Sequence, residues 1–238
     1  MKKCFQTIVT VPLLITALIL TGCDEGVDTF TGNDNDIVYV AIGASDALGV
    51  GAIPKDEGYV FRIEDRLDAE LEGDVELCIP LCLVALPAAE LNQIKDLLDV
   101  ALDAGVDPDI VTILVGPNDI IEGVEPEDFQ EDLRDVLNRL IEESPNALIV
   151  IANVPDLTQL PRFDEGEDSD VTLERIREFN EVIEILAGEF NLPPVVNLFG
   201  IMITDDFVAD DGFHPSAEGH QIIAELFLDV ILAEFDPS

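Results

Sequence analysis

Ile37-Val38-Tyr39-Val40-Ala41-Ile42 is a continuous apolar run that stops at Gly43-Ala44-Ser45-Asp46. Apolar residues without polar alternation describe a strand covered on both faces, as in a parallel sheet flanked by helices. A loop with Gly49, Gly51 and Pro54 follows. Residues 59–71 then place Val60, Ile63, Leu67 and Leu71 on one helical face.

The same alternation continues outward from this unit. Residues 75–86 are apolar again; their first half predicts the second strand and their second half a loop. Residues 88–104 predict a helix with Leu91, Ile94, Leu98 and Ala101 inward. The third strand is expected at 110–115, ended by Gly116-Pro117-Asn118-Asp119, and a helix at 126–143 with Pro126 in its first turn. A fourth strand at 147–152 leads into the loop Asn153-Val154-Pro155-Asp156-Leu157. Residues 161–170 are rich in acids and read as an exposed loop. A helix at 172–190, a fifth strand at 194–198, a long connection at 200–214 and a last helix at 216–235 complete the chain. Strands alternating with helices predict one α/β domain over residues 37–238: a three-layer α/β/α sandwich on a five-stranded, mainly parallel sheet. Ligands in such sheets bind beyond the carboxyl ends of the strands. Ser45, Asn118 and Asn153 each fall just after a predicted strand.

Charge narrows the partners. The chain has 238 residues, with 51 acidic against 11 basic and a formal net charge of −40. Nucleic-acid binding is excluded, because neutralising phosphates needs a basic footprint. Polyanionic substrates are disfavoured for the same reason. Hydrophobic content of 48% supports a packed core, so the acids describe a solvated surface rather than a disordered chain. Adaptation to high salt, where counterions screen self-repulsion, is the sharper expectation from the same charge.

The N-terminus has a targeting pattern. Lys2 and Lys3 precede an apolar run from Phe5 to Leu20, interrupted by Pro12 and followed by Leu20-Thr21-Gly22-Cys23. The run is short for a membrane span, and its basic–apolar–small order is that of a secretory signal. Its ending resembles the lipobox of bacterial lipoproteins, which implies cleavage of residues 1–22 and lipidation of Cys23. Residues 23–36 then read as an acidic tether. The implied location is the cell envelope, with the exported domain held at a membrane by its lipid. Cys78 and Cys82 remain in the mature chain. An exported protein can keep a disulfide, but two cysteines so close in an extended segment are poorly placed to close one. A bridge and a pair of buried thiols both stand. Zinc is disfavoured, since the two histidines lie far from the cysteines.

Three stretches carry chemistry. Ser45, in a turn after the first strand, can expose its hydroxyl and offer its backbone N–H. Asn118, after the third strand, can donate its amide to developing negative charge. His214 supplies the side-chain type suited to general-base work, and Asp211, three residues earlier, is spaced to reach its ring in a tight turn. Asp205, Asp206 and Asp210 compete for that orienting role. Taken singly, each has a plain reading: a turn serine, a strand-ending asparagine, an Asp-x-x-His before a helix.

In this order the three resemble the SGNH, or GDSL-type, hydrolase family. Ile42-Gly43-Ala44-Ser45-Asp46-Ala47-Leu48-Gly49-Val50-Gly51 looks like the family's nucleophile block, Gly116-Pro117-Asn118-Asp119 like its asparagine block, and Asp211 to Gly219 like its closing block. Asn153 to Pro161 is similar to a segment common after its fourth strand. The resemblance implies a flavodoxin-like fold, no metal or organic cofactor, and hydrolysis of esters or thioesters through an acyl-serine. It assigns Ser45 as nucleophile, His214 as base and then acid, and Asp211 as orienter, with Gly43, Gly116 and Asp119 as supporting residues. The N–H of Ser45 and the amide of Asn118 match two oxyanion donors. A third donor in the family is a glycine N–H; no glycine lies in Leu83 to Leu91, where Ala88 is the best match and Ala85 the fallback. Ala44 stands where many members carry aspartate, and Asp46 follows the serine instead. Asp119 is expected to be structural, because its charge would oppose an oxyanion beside it. His220 is read as a residue of the last helix. The implied protein is an ester hydrolase acting on a small-molecule or lipid ester, and a monomer is expected; the alternative is a non-catalytic lipoprotein that keeps the fold to bind a ligand.

Overall fold

A computed structural model describes residues 36–71, 74–163 and 170–235. The signal segment, Cys23 and all of the tether but Asp36 lie outside the described residues, as does most of the acidic loop.

Strand β1 (Ile37–Gly43) is buried along its whole length, as its unbroken apolar run requires. It pairs in parallel with β4 (Ile110–Leu114), and β4 pairs in parallel with β5 (Leu148–Ile151). On its other side β1 meets β2 (Val75–Glu76) and then β3 (Leu83–Ala85), both parallel. The order across the sheet is therefore β2 and β3, β1, β4, β5, with one further parallel bridge from Ala152 to Val196. Counting β2 and β3 as one broken strand, this is the flavodoxin-like order, in which the winding reverses between β1 and β4.

Helices α1 (Tyr59–Glu70), α2 (Leu91–Asp103), α4 (Pro126–Glu143), α5 (Leu173–Glu189) and α6 (Ala217–Glu234) form two groups; a short α3 (Pro117–Ile121) follows β4. α1 packs on α6, whereas α2 packs on α4 and α4 on α5. Their inward residues are apolar: Val60, Ile63 and Leu67 on α1, Leu91, Ile94, Leu98 and Ala101 on α2. Each such Ile or Leu contributes roughly 1.5–3 kcal/mol on burial. A side-chain hydrogen bond inside the sheet, between Tyr39 Oη and Thr112 Oγ1 at 2.8 Å, joins β1 to β4.

Four details depart from the sequence reading. The predicted loop half of 75–86 contains β3, the longer of the two pairings with β1 on this side. Between β2 and β3 the chain turns, and the Cys82 N–H donates to Cys78 O at 2.9 Å. That turn brings the two Cα atoms to 4.9 Å and the cysteines form a disulfide; a continuous strand would have held them apart. Helix α2 begins at Leu91 rather than 88, because Glu90 and Gln93 make a reciprocal capping box there. The predicted fifth strand contracts to the single bridge at Val196, and the stretch 161–163 is a 3₁₀ turn with Phe163 buried.

Candidate active site

The reversal point between β1 and β4 opens a crevice at the carboxyl ends of both strands. Ser45 leaves β1 and Asn118 sits in α3 after β4, so each reaches the crevice from one side. Gly43 is required by crowding: a Cβ there would stand 2.8 Å from Ala47 Cβ and 3.1 Å from Leu114 O. Gly116 begins α3 at φ +106° with Val154 Cγ2 2.8 Å from where a Cβ would be, so only glycine allows the sharp turn.

The turn after Ser45 is held by hydrogen bonds from Val50 N to Ser45 O and from Gly49 N to Asp46 O, both 3.0 Å. It then passes beneath the histidine loop. A Cβ on Gly51 would lie 2.1 Å from Pro215 O and 3.0 Å from His214 Cβ. The absence of a side chain there lets two segments far apart in sequence touch.

His214 arrives on a loop built around Asp211. One carboxylate oxygen, Oδ1, accepts the N–H groups of Phe213 and His214 at 2.9 Å each. The other, Oδ2, meets His214 Nδ1 at 2.6 Å. Nε2 then faces Ser45 Oγ at 2.8 Å. A carboxylate can only accept, so Nδ1 carries the proton and Nε2 is free to accept from the serine hydroxyl. Burial alone would raise the carboxyl pKa of Asp211, but the hydrogen bonds from the His214 ring and the two backbone N–H groups outweigh it and hold it below the usual range. The carboxylate that hydrogen-bonds the ring is that of Asp211, rather than those of Asp205, Asp206 or Asp210. The loop is anchored on both sides: Ala209 N donates to His214 O, and Arg162 N to Gly212 O. The Arg162 guanidinium lies 4.9 Å over the Phe213 ring, which packs edge-on against His214 with centroids 4.8 Å apart.

On the opposite wall Asn118 Nδ2 donates to Ala89 O at 3.0 Å. A primary amide has two N–H donors, so one remains for a ligand. Ala88, immediately before, takes φ +53°, the left-handed conformation that suits glycine. Asp119 is buried, with its carboxylate accepting Leu91 N at 2.9 Å, and so ties α3 to the start of α2. Desolvation pushes its pKa up to about 6, although the Leu91 N–H opposes the rise. Asp46 is also raised by burial, with backbone N–H groups and the nearby His214 pulling the other way.

A cavity of about 50 Å³ adjoins the site. Its polar lining is Ser45, Asp46, Asn118 and His214; the rest is apolar, including Leu114, Leu157, Leu198 and Phe207.

Sequence reasoning missed the supports. His220 is completely buried. Its Nδ1 accepts Tyr59 N at 3.2 Å and its Nε2 donates to Val50 O at 3.0 Å. It thereby joins α6, α1 and the serine loop. Asn153 holds the segment after Val196 through Phe199 N at 2.8 Å, and Asn180 grips both N and O of Val154. Only the rarity of histidine could have flagged His220, since its partners are backbone atoms far away in sequence.

A fold with this reversal point and a serine, histidine and aspartate in linear contact defines the class of serine-hydrolase-like α/β proteins. The model of the GDSL-like lipase/acylhydrolase family matches residues 41–222, and the chain belongs to that family of hydrolases. No curated protein matches it. Among solved structures, it is similar to a lipase/acylhydrolase from Enterococcus faecalis (22% identity, TM-score 0.64, 86% of this chain and 98% of the other). It is likewise similar to TesA (20% identity, TM-score 0.64, 82% and 97%). The psychrotrophic esterase EstA from Pseudoalteromonas sp., in a structure inhibited by monoethylphosphonate, is comparable (20% identity, TM-score 0.62, 84% and 98%).

Proposed function

We propose that this hydrolase cleaves carboxylic esters through an acyl-serine. The observation that carries the reading is the chain of contacts Asp211–His214–Ser45, with separations of 2.6 and 2.8 Å. His214 Nε2 takes the Ser45 proton as Oγ attacks the ester carbonyl. The second Asn118 N–H, the Ser45 N–H and the Ala88 N–H receive the oxyanion; loss of one such donor typically costs ~10²–10³-fold in rate. Asp211 stabilises the imidazolium. The tetrahedral intermediate collapses, His214 gives its proton to the departing alkoxide, and the acyl group stays on Ser45. Water then attacks the acyl-serine while His214 takes its proton, and the acid leaves as Ser45 is reprotonated. Every proton in this cycle is handled by residues of the chain, and it calls on no metal or organic cofactor.

The test is threefold. Purified protein should turn over p-nitrophenyl esters, Ser45→Ala should lose at least ~10³-fold in kcat, and a reactive phosphonate should label Ser45. Unchanged turnover in the alanine variant, or no adduct on folded protein, sinks the mechanism. EstA's inhibition by a phosphonate makes that reagent the natural probe.

The reading extends to location. We place the domain, as a monomer, on the exported side of a membrane, with Cys23 lipidated and residues 24–36 as spacer. The N-terminal sequence pattern supports this. Among the described residues no helix is long and apolar enough to cross a membrane. Incorporation of labelled fatty acid should vanish in Cys23→Ser.

A further inference from the structure

Ser45 and His214 stand 169 positions apart in the chain, so their 2.8 Å contact needs a tie between two separate loops. Val50 supplies one half of it. Its N–H donates to Ser45 O at 3.0 Å, which closes the turn carrying the nucleophile. Its carbonyl accepts from His220 Nε2, also at 3.0 Å. Val50 is therefore held from both ends, by the serine and by the last helix.

The same piece of chain places both imidazoles. Helix α6 opens just beyond His214 and Pro215. Ser216 caps it by accepting Gly219 N at 3.1 Å, and His220 N donates to Ser216 O at 2.8 Å. On its far side the His220 ring stacks on Tyr59, with centroids 6.0 Å apart and planes 12° apart. Its Nδ1 accepts Tyr59 N, one of the N–H groups that the start of α1 leaves without an intrahelical partner. A backbone N–H can only donate, so the ring proton sits on Nε2, and this is the tautomer that can donate to Val50 O. Gly51, next along, packs against Pro215 O and His214 Cβ. Crowding there limits how close the two loops come, and the His220 bond keeps them from parting.

We propose that His220 is a positioning residue of the reaction: through Val50 it holds the Ser45 turn at the separation from His214 that proton transfer needs. This rests on the serine-hydrolase reading above. His220 touches neither the substrate nor the reacting atoms. Its effect on rate follows from geometry, because a misplacement of about 1 Å at reacting groups can cost ~10²-fold.

The two ring nitrogens can be tested separately. In His220→Asn the shorter amide can accept from Tyr59 N but does not reach Val50 O. In His220→Gln the amide N–H reaches the Nε2 position and donates to Val50 O, while the Tyr59 bond is given up. Both variants are compared with wild type on p-nitrophenyl butyrate and in the rate of phosphonate labelling at Ser45, with kcat counted per folded molecule from denaturant titrations. Stability should fall in both. In His220→Asn kcat and the labelling rate should fall roughly 10- to 100-fold, with KM within about threefold. His220→Gln should keep kcat within about threefold of wild type. Where asparagine prevents folding, His220→Met fills the space without either bond and should show the same fall. Wild-type kcat in the asparagine or methionine variant would overturn the proposal and leave the acyl-serine mechanism standing. An equal fall in the glutamine variant would overturn it too, since a merely structural histidine predicts rates that do not separate the two amides. A wild type that turns over no ester and takes no phosphonate adduct would remove the parent reading and this one with it.

Discussion

His220 Nε2 donates to Val50 O at 3.0 Å, and this bond fastens the last helix to the loop that carries the serine. The ring is buried and neutral: desolvation lowers its pKa to about 4 from an ordinary 6.5. The unfolded chain therefore takes up a proton first as pH falls. The stability that neutral His220 supports is complete above pH 6.5 and is lost through the window from 6.5 down to 4. Relative to His220→Gln, the wild type should lose about 2 kcal/mol between pH 7.5 and 5. Denaturant titrations at the two pH values check this; a constant difference refutes it.

Asp119 should behave in the opposite sense. Its folded pKa of about 6 lies above the ordinary 3.8, so the folded state binds the extra proton. Stability is greatest below 3.8 and declines as pH rises through 6. Between pH 7.5 and 5 the wild type should therefore gain about 1 kcal/mol over Asp119→Asn. An asparagine keeps the acceptor for Leu91 N, so the variant should fold.

Asp211→Asn should act on rate rather than binding. The amide can present an N–H to Nδ1 and favour the wrong tautomer, leaving Nε2 unable to accept from Ser45. A fall in kcat of about 10²–10⁴-fold with KM within about threefold is expected. The carboxyl pKa of Asp211, held below its usual range by the His214 ring and the two backbone N–H groups, keeps it an acceptor for Nδ1. Full activity in the asparagine variant would return the role to another carboxylate.

Ala88 tests the oxyanion wall. At φ +53° an alanine is strained by about 1–2 kcal/mol, and glycine relieves this at an entropic cost of roughly 0.5–1 kcal/mol. Ala88→Gly should keep stability within about 1 kcal/mol and preserve rate. Ala88→Val should be destabilised and slower, since a β-branched residue resists this conformation. Equal rates for valine and glycine would remove Ala88 from the oxyanion site.

Salt should stabilise the fold. With a formal charge of −40, self-repulsion is screened as the Debye length drops from about 10 Å at 0.1 M to about 3 Å at 1 M. The surface ion pairs, such as Arg139 with Asp99 and Asp103, contribute little each and should not reverse the trend. Tm should rise on adding molar sodium chloride; equal values would discard the high-salt reading.

Periodicity and composition were enough for the architecture. The unbroken run at β1, the apolar faces of α1 and α2, and the glycines at strand ends are local signals, because each reports its own burial. The Asp211–His214 contact was legible too, since three residues in one turn can be related by spacing alone. What the chain could not reveal locally was anything made between distant segments. Ser45 and His214 meet because Gly51 passes beneath Pro215; His220 matters because Tyr59 and Val50 lie beside it. The cysteine bridge closes because β2 and β3 are separated by a turn. Side-chain burial is written residue by residue along a chain, whereas distances across a fold arise only when its layers pack.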